Sequence, residues 1–142
     1  MSVLASKRDQ STLEFYHTML VAFKKIATFV MSDKHVPKKW RFTISNPIID
    51  LCQEILDNIV SANSVYVKTK QDALMRNRYQ KAAINGVHKL THRIQYMIEI
   101  LNVFDDSLQP IAELLEKELT LLNAWKKSDE ERYKSLMNRV DF

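Results

Sequence analysis

The sequence predicts an all-α fold, a four-helix bundle with a short C-terminal helical extension, in a single domain over residues 1–142. Two observations predict it. One glycine and three prolines in the whole chain leave too little turn material for a sandwich of short strands joined by tight turns. Four long segments instead carry apolar residues three and four positions apart, which at about 100° per residue places them on one side of a helix. A chain of this length buries roughly two thirds of its unfolded surface on folding, so a core can form without staples.

The first helix is predicted over approximately 11–31. Residues 1–10 read as a lead-in, and Ser11 with Glu14 has the capping-box pattern, in which each side chain satisfies an orphan backbone N–H. Leu13, Tyr16, Leu20, Phe23, Ala27 and Val30 form its apolar stripe, widened by Met19, Ile26 and Phe29. The second segment spans approximately 38–66, with Pro37 suited to a first turn and a break or kink near 43–47. A proline inside a helix removes one hydrogen bond and clashes with the turn before it. Pro47 therefore leaves two readings: a short turn over Lys38–Phe42 followed by a restart capped by Asn46, which the residues favour, or one kinked helix. Ile48, Leu51, Ile55, Ile59, Ala62 and Tyr66 mark the buried face beyond it.

The third and longest helix is predicted over approximately 70–104, starting somewhere in Val67–Gln71. Ala83, Val87, Leu90, Ile94, Met97 and Leu101 fall on one narrow arc, a core seam. Gly86 within it costs about 1 kcal/mol of helix propensity relative to Ala, and close approach of a neighbouring backbone would explain its presence. Asp105, Asp106 and Ser107 supply caps for a fourth helix over approximately 107–126, with Pro110 in its first turn. Leu108, Ile111, Leu115, Leu119 and Leu122 form its stripe, and Trp125 plugs the core near its end. Ser128 and Glu131 repeat the capping-box pattern and predict a short helix over approximately 129–139.

The formal net charge is +4, from 21 Lys and Arg against 17 Asp and Glu, too small by itself to imply nucleic acid. Its distribution is more informative. Lys68 to Arg93 holds seven basic residues and the single acid Asp72, whereas Glu99 to Glu118 holds six acids and only Lys117. Arg78, Lys81, Asn85, His88, Lys89, His92 and Arg93 lie nearly opposite the seam, so the third helix joins a core to a cationic face suited to an anion. Glu113, Glu116 and Glu118 read as the solvated face of the fourth helix. Trp40 and Phe42 lie among Lys38, Lys39 and Arg41, and Tyr79 lies between Arg78 and Lys81. Such aromatics either stack on unpaired bases or complete the core; for the cations, phosphate contact is the better reading.

Catalytic chemistry is not in view. With one glycine no glycine-rich phosphate loop can form. His88 and His92 have a spacing that could share a metal, but no His-Glu-x-x-His occurs, and Glu-x-x-His occurs only once, at Glu14 to His17, where a di-iron bundle needs it on two helices. The expectation is a protein that is not an enzyme and has no metal or cofactor. Cys52 is the only cysteine, which excludes an intramolecular disulfide and, beside Leu51 and Ile55, reads as a small buried hydrophobe in a reducing compartment. The lead-in lacks the apolar core of a signal peptide, and no stretch approaches the ~20 apolar residues that span a bilayer. A cytoplasmic protein without membrane contact is expected.

Several short motifs in order resemble a known family. Val36-Pro37-Lys38-Lys39 with Arg41-Phe42 follows the first helix; Ile55-Leu56, Ile59, Ala62-Asn63 and Tyr66 follow in the second; a long basic helix comes next; and the fourth ends in Leu122-Asn123-Ala124-Trp125-Lys126. Over roughly Leu13 to Lys127 the chain resembles the accessory variability determinant (Avd) proteins of diversity-generating retroelements, and is similar to bundle proteins encoded in intervening sequences of ribosomal RNA genes. The resemblance implies an up-down four-helix bundle assembling as a homopentamer, a non-catalytic subunit that binds reverse transcriptase and structured template RNA during mutagenic cDNA synthesis. It carries RNA contact onto Lys38, Lys39, Arg41, Arg78, Lys81, Lys89 and Arg93. Asn46-Pro47 and the modest net charge depart from the family's pattern. The alternative is a self-assembling interaction bundle of the ribosomal-gene type with no RNA role.

Overall fold

A computed structural model describes residues 10–103 and 105–140, with side chains from Glu14 onward. Its described residues form helices and turns without a strand: α1 (Gln10–Val30), a 3₁₀ turn (Lys38–Trp40), a π-turn (Arg41–Ser45), α2 (Asn46–Ser64), α3 (Lys70–Leu101), α4 (Leu108–Arg132) and α5 (Lys134–Met137). Helix α1 packs on α2 and α4, and α3 packs on the same two, so the core lies between four helices.

Helix α1 is already formed at Gln10, ahead of the predicted Ser11 cap, whose side chain lies outside the described residues. Its buried stripe is Phe15, Met19, Ala22, Ile26, Phe29 and Val30. Tyr16, Leu20, Phe23 and Ala27, expected at its centre, are only half-buried, so the face is turned by about one residue from the prediction. The Phe15 ring stacks on Trp125 of α4 with centroids 4.2 Å apart. At the other end of α1 the Arg41 guanidinium donates to the Met31 carbonyl at 2.8 Å and pairs with Asp33, and the buried Ser45 hydroxyl donates to the Val30 carbonyl at 2.5 Å. These bonds satisfy carbonyls that a helix end leaves without internal partners.

The favoured restart at Asn46 is not what forms. Asn46 has helical angles, and its N–H bonds to the Arg41 carbonyl, five residues back. The disruption that a proline brings to a helix coincides with one wide turn over Arg41–Ser45, directly ahead of Pro47, the single-turn form in which π-helix mostly occurs. Helix α2 buries Ile48, Cys52, Ile55, Ile59 and Ala62. It ends at Ser64, which leaves Tyr66 exposed where burial was predicted. Burial pushes the Cys52 thiol up to about 12.

Helix α3 starts with a capping box that the sequence reading did not place: the Thr69 hydroxyl accepts from the Asp72 N–H, and the Asp72 carboxylate accepts from the Thr69 and Lys68 N–H groups. Those backbone bonds hold the Asp72 carboxyl below its ordinary range. The seam residues from Ala83 to Met97 are buried as predicted. At Gly86 an added Cβ would lie 2.6 Å from Cγ1 of Ile55, so α2 and α3 approach closely there, through a side chain of α2 and not through the backbone that was expected. The helix ends at Leu101 because Asn102 adopts a left-handed conformation, φ 51°, which asparagine tolerates better than most residues. Phe104, predicted as the end, lies outside the described residues.

Helix α4 runs through Arg132, so the Ser128–Glu131 pattern lies inside it and starts nothing; α5 is a single turn after a break at Tyr133. Asp129 explains the extension. Its Oδ2 accepts from Arg76 Nε at 2.6 Å and from Gln80 Nε2 at 2.7 Å, and Asn77 donates to Glu130 at 3.0 Å. Arg76 also faces the Ala62 and Val65 carbonyls and lies 5.4 Å from the Trp125 ring centroid. This buried polar knot ties the end of α4 to the start of α3. Glu113 and Glu116 are exposed as expected, but Glu118 is 0% exposed, on the buried stripe with Ile111, Leu115 and Leu122. Neither carboxyl oxygen of Glu118 has a hydrogen-bond partner, and burial pushes the group up to about 8.

Candidate nucleic-acid interface

The outer face of α3 is built by helical spacing alone. Residues whose side chains point away from the seam point to solvent, and Arg78, Lys81, Asn85, His88, Lys89, His92 and Arg93 are all exposed. From Arg78 to Arg93 the face runs for roughly 22 Å at 1.5 Å per residue. Arg78, Lys89 and Arg93 pair with no acid among the described residues. Lys81 differs. Its charge reaches Glu130, whose carboxyl is held below its ordinary range first by the Asn77 hydrogen bond, then by Lys126 and Lys81.

Along the line where α3 meets α2 lies an open groove of about 880 Å³. Pro47 and Leu51 form its α2 side; Asn85, His88, Lys89, His92, Arg93 and Tyr96 form its α3 side. No acidic side chain lines it. Two of the seven candidate cations, Lys89 and Arg93, therefore meet here. Arg78 and Lys81 extend the same face toward the start of α3.

The remaining candidates stand elsewhere. Lys38 and Lys39 are exposed, and Lys39 lines a separate depression of about 570 Å³ at the far end of α3, together with Lys34, Trp40, Asn102 and Asp105. Next to it the His35 ring stacks on Phe29 and its Nε2 lies 2.8 Å from Asp105 Oδ2. Hydrogen bonds from Ser107, then His35, hold the Asp105 carboxyl well below the carboxylate range. Arg41 is occupied by the end of α1, so its charge is committed to the fold. The basic stretch thins in the same way: Arg76 is in the buried knot, and Lys70 donates to the Arg139 carbonyl at 2.7 Å.

Among the aromatics, Tyr79 and Trp40 are half-buried, while Phe42 is 84% exposed on the π-turn. The aromatic in the cationic groove is Tyr96, 47% exposed, which the sequence reading passed over. Its signal was its place three residues after Arg93 and four after His92, on the same face. Among the described residues no group of three or more His, Cys, Asp or Glu side chains could hold a metal ion, and no helix is long and apolar enough to cross a membrane.

A third depression, about 670 Å³, lies between α3 and α4, with Ile94, Ile98, Ile111, Leu115 and Leu119 among its lining and Asp105, Asp106 and Glu116 also facing it. Its sign is opposite to that of the first groove. No protein-family model, curated protein or solved structure matches the chain.

Proposed function

We propose that this chain is a non-catalytic RNA-binding subunit, an up-down four-helix bundle with a short C-terminal extension, acting as the accessory protein of a diversity-generating retroelement. In that role it binds structured template RNA and the reverse transcriptase in the cytoplasm. The observation that carries the RNA part is the exposed face of α3, on which Arg78, Lys89 and Arg93 have no acidic partner among the described residues. Unpaired cations on one face bind polyanions by releasing condensed counterions, so affinity falls steeply with salt and depends little on sequence. The retroelement part rests on the resemblance of the motifs from Val36 to Lys126. The test is RNA binding across a salt series for the wild type and for a variant with Arg78, Lys81, Lys89 and Arg93 all changed to Glu. Loss of binding with unchanged helicity supports the assignment, and unchanged binding overturns it. Purification from the native cell should bring down a reverse transcriptase and one discrete RNA.

A second reading has its own observation. The apolar groove between α3 and α4, faced by Asp105, Asp106 and Glu116, offers a counterpart for the basic face of another copy, as a self-assembling interaction bundle with no RNA role would use. Its mark is an assembly mass in solution that falls as salt rises and is indifferent to RNA.

A further inference from the structure

The groove between α2 and α3 differs from a plain basic face in its mostly apolar lining. Pro47, Leu51 and Tyr96 line it together with Lys89 and Arg93, one helical turn apart, and with His88, His92 and Asn85. A duplex keeps its base faces within its own stack and offers a protein mainly phosphates and sugar hydroxyls. A lining of aromatic and aliphatic carbon among cations complements a base that has left the stack, with its phosphate held alongside. At about 880 Å³ the groove is in the size range of small-molecule sites. Asn85 supplies both a donor and an acceptor for a base edge.

We infer that this groove holds an unpaired nucleotide of a single-stranded RNA segment, its base on Tyr96 and its phosphate against Lys89 and Arg93. The inference rests on the RNA-binding reading above and narrows it to a strand class and a site. Single-stranded segments, such as loops of a folded RNA, seat at the groove, while Arg78 and Lys81 hold the backbone that continues along α3.

The test is fluorescence anisotropy at one fixed salt concentration with a labelled single-stranded oligonucleotide of mixed sequence and a duplex of the same length, using wild type, Tyr96→Ala, Tyr96→Phe and Lys89→Ala/Arg93→Ala. Tyr96 is half-exposed and away from the core, so these variants should keep wild-type helicity. The expected result is single-strand affinity reduced roughly tenfold in Tyr96→Ala, retained in Tyr96→Phe, with duplex affinity unchanged in both. The Lys89→Ala/Arg93→Ala variant should weaken both ligands, because both present phosphates. Equal loss for single strand and duplex in Tyr96→Ala, or no loss for either, overturns the nucleotide site and leaves the RNA-binding reading standing. Absence of binding to either ligand by the wild type overturns both.

Discussion

Glu118 offers the sharpest test of the packing. Its side chain is fully buried, neither oxygen has a hydrogen-bond partner, and burial raises its carboxyl from the ordinary 4.5 to about 8. In the unfolded chain the group titrates near its ordinary value, so between the two the folded state holds a proton that the unfolded state has released. Stability from this group is thus fully present below the unfolded value and is lost as pH rises through about 8. At about 1.4 kcal/mol per pH unit the difference sets an upper limit of about 5 kcal/mol, and water entry around the ionised carboxylate reduces the observable part to roughly 3 kcal/mol. For a chain of this size that corresponds to roughly 10 °C in Tm. Glu118→Gln removes the titration while keeping the shape. Thermal unfolding followed by far-ultraviolet circular dichroism should give similar Tm values for the two proteins at pH near 5, and a wild type that falls behind progressively toward pH 9. Other titrating groups cancel in the comparison. Parallel Tm profiles across this range would refute the burial of an unpartnered carboxyl.

Gly86→Ala sets a gain of about 1 kcal/mol in helix propensity against overpacking at Ile55, which costs 1–3 kcal/mol in typical cores, about 2 here; a net loss of about 1 kcal/mol in urea denaturation is expected, and a gain would contradict the close contact of α2 and α3. Asp129→Asn strips the Arg76 guanidinium of its buried counter-charge and should cost about 3 kcal/mol. Adding Arg76→Met should recover much of that loss in the same assay, and failure to recover it would show that the pair is not the source of the cost.

How far the sequence could be read follows from the kind of signal each element sends. The α3 seam was legible because Ala83 to Met97 alternate strictly between spacings of three and four among polar neighbours, which leaves one possible inner face. In α1 nearly every second residue is apolar, so a rotation from Tyr16 to Phe15 changes the pattern little; only packing against Trp125 fixes it. Glu118 sits at the correct interval from Leu115 and Leu122 to be internal, but its charge argued the other way, and propensity cannot register a carboxyl that stays protonated. The Ser128–Glu131 pattern failed because Asp129 finds Arg76, 53 residues away in the chain, and a long-range partner outweighs a local cap worth about 1 kcal/mol. At Pro47 the sequence announced a disturbance without its form, since a π-turn and a restarted helix have the same local composition. Of the candidate site, the cationic face followed from helical spacing; that Arg41 and Arg76 are withdrawn from it, and that Tyr96 meets Lys89 and Arg93 beside Pro47 and Leu51, depends on contacts between helices.

The bonds from Ser45 and Arg41 to the end of α1 change how that end can open. A helix terminus ordinarily frays one residue at a time, at little cost and without involving its neighbours. Here the Val30 and Met31 carbonyls are held by side chains of the wide turn that precedes Pro47. Loosening the last turn of α1 therefore breaks bonds to the wide turn as well, and straightening the wide turn leaves two carbonyls at the end of α1 without these partners. The corner between the first two helices thus shares its hydrogen bonds between both elements.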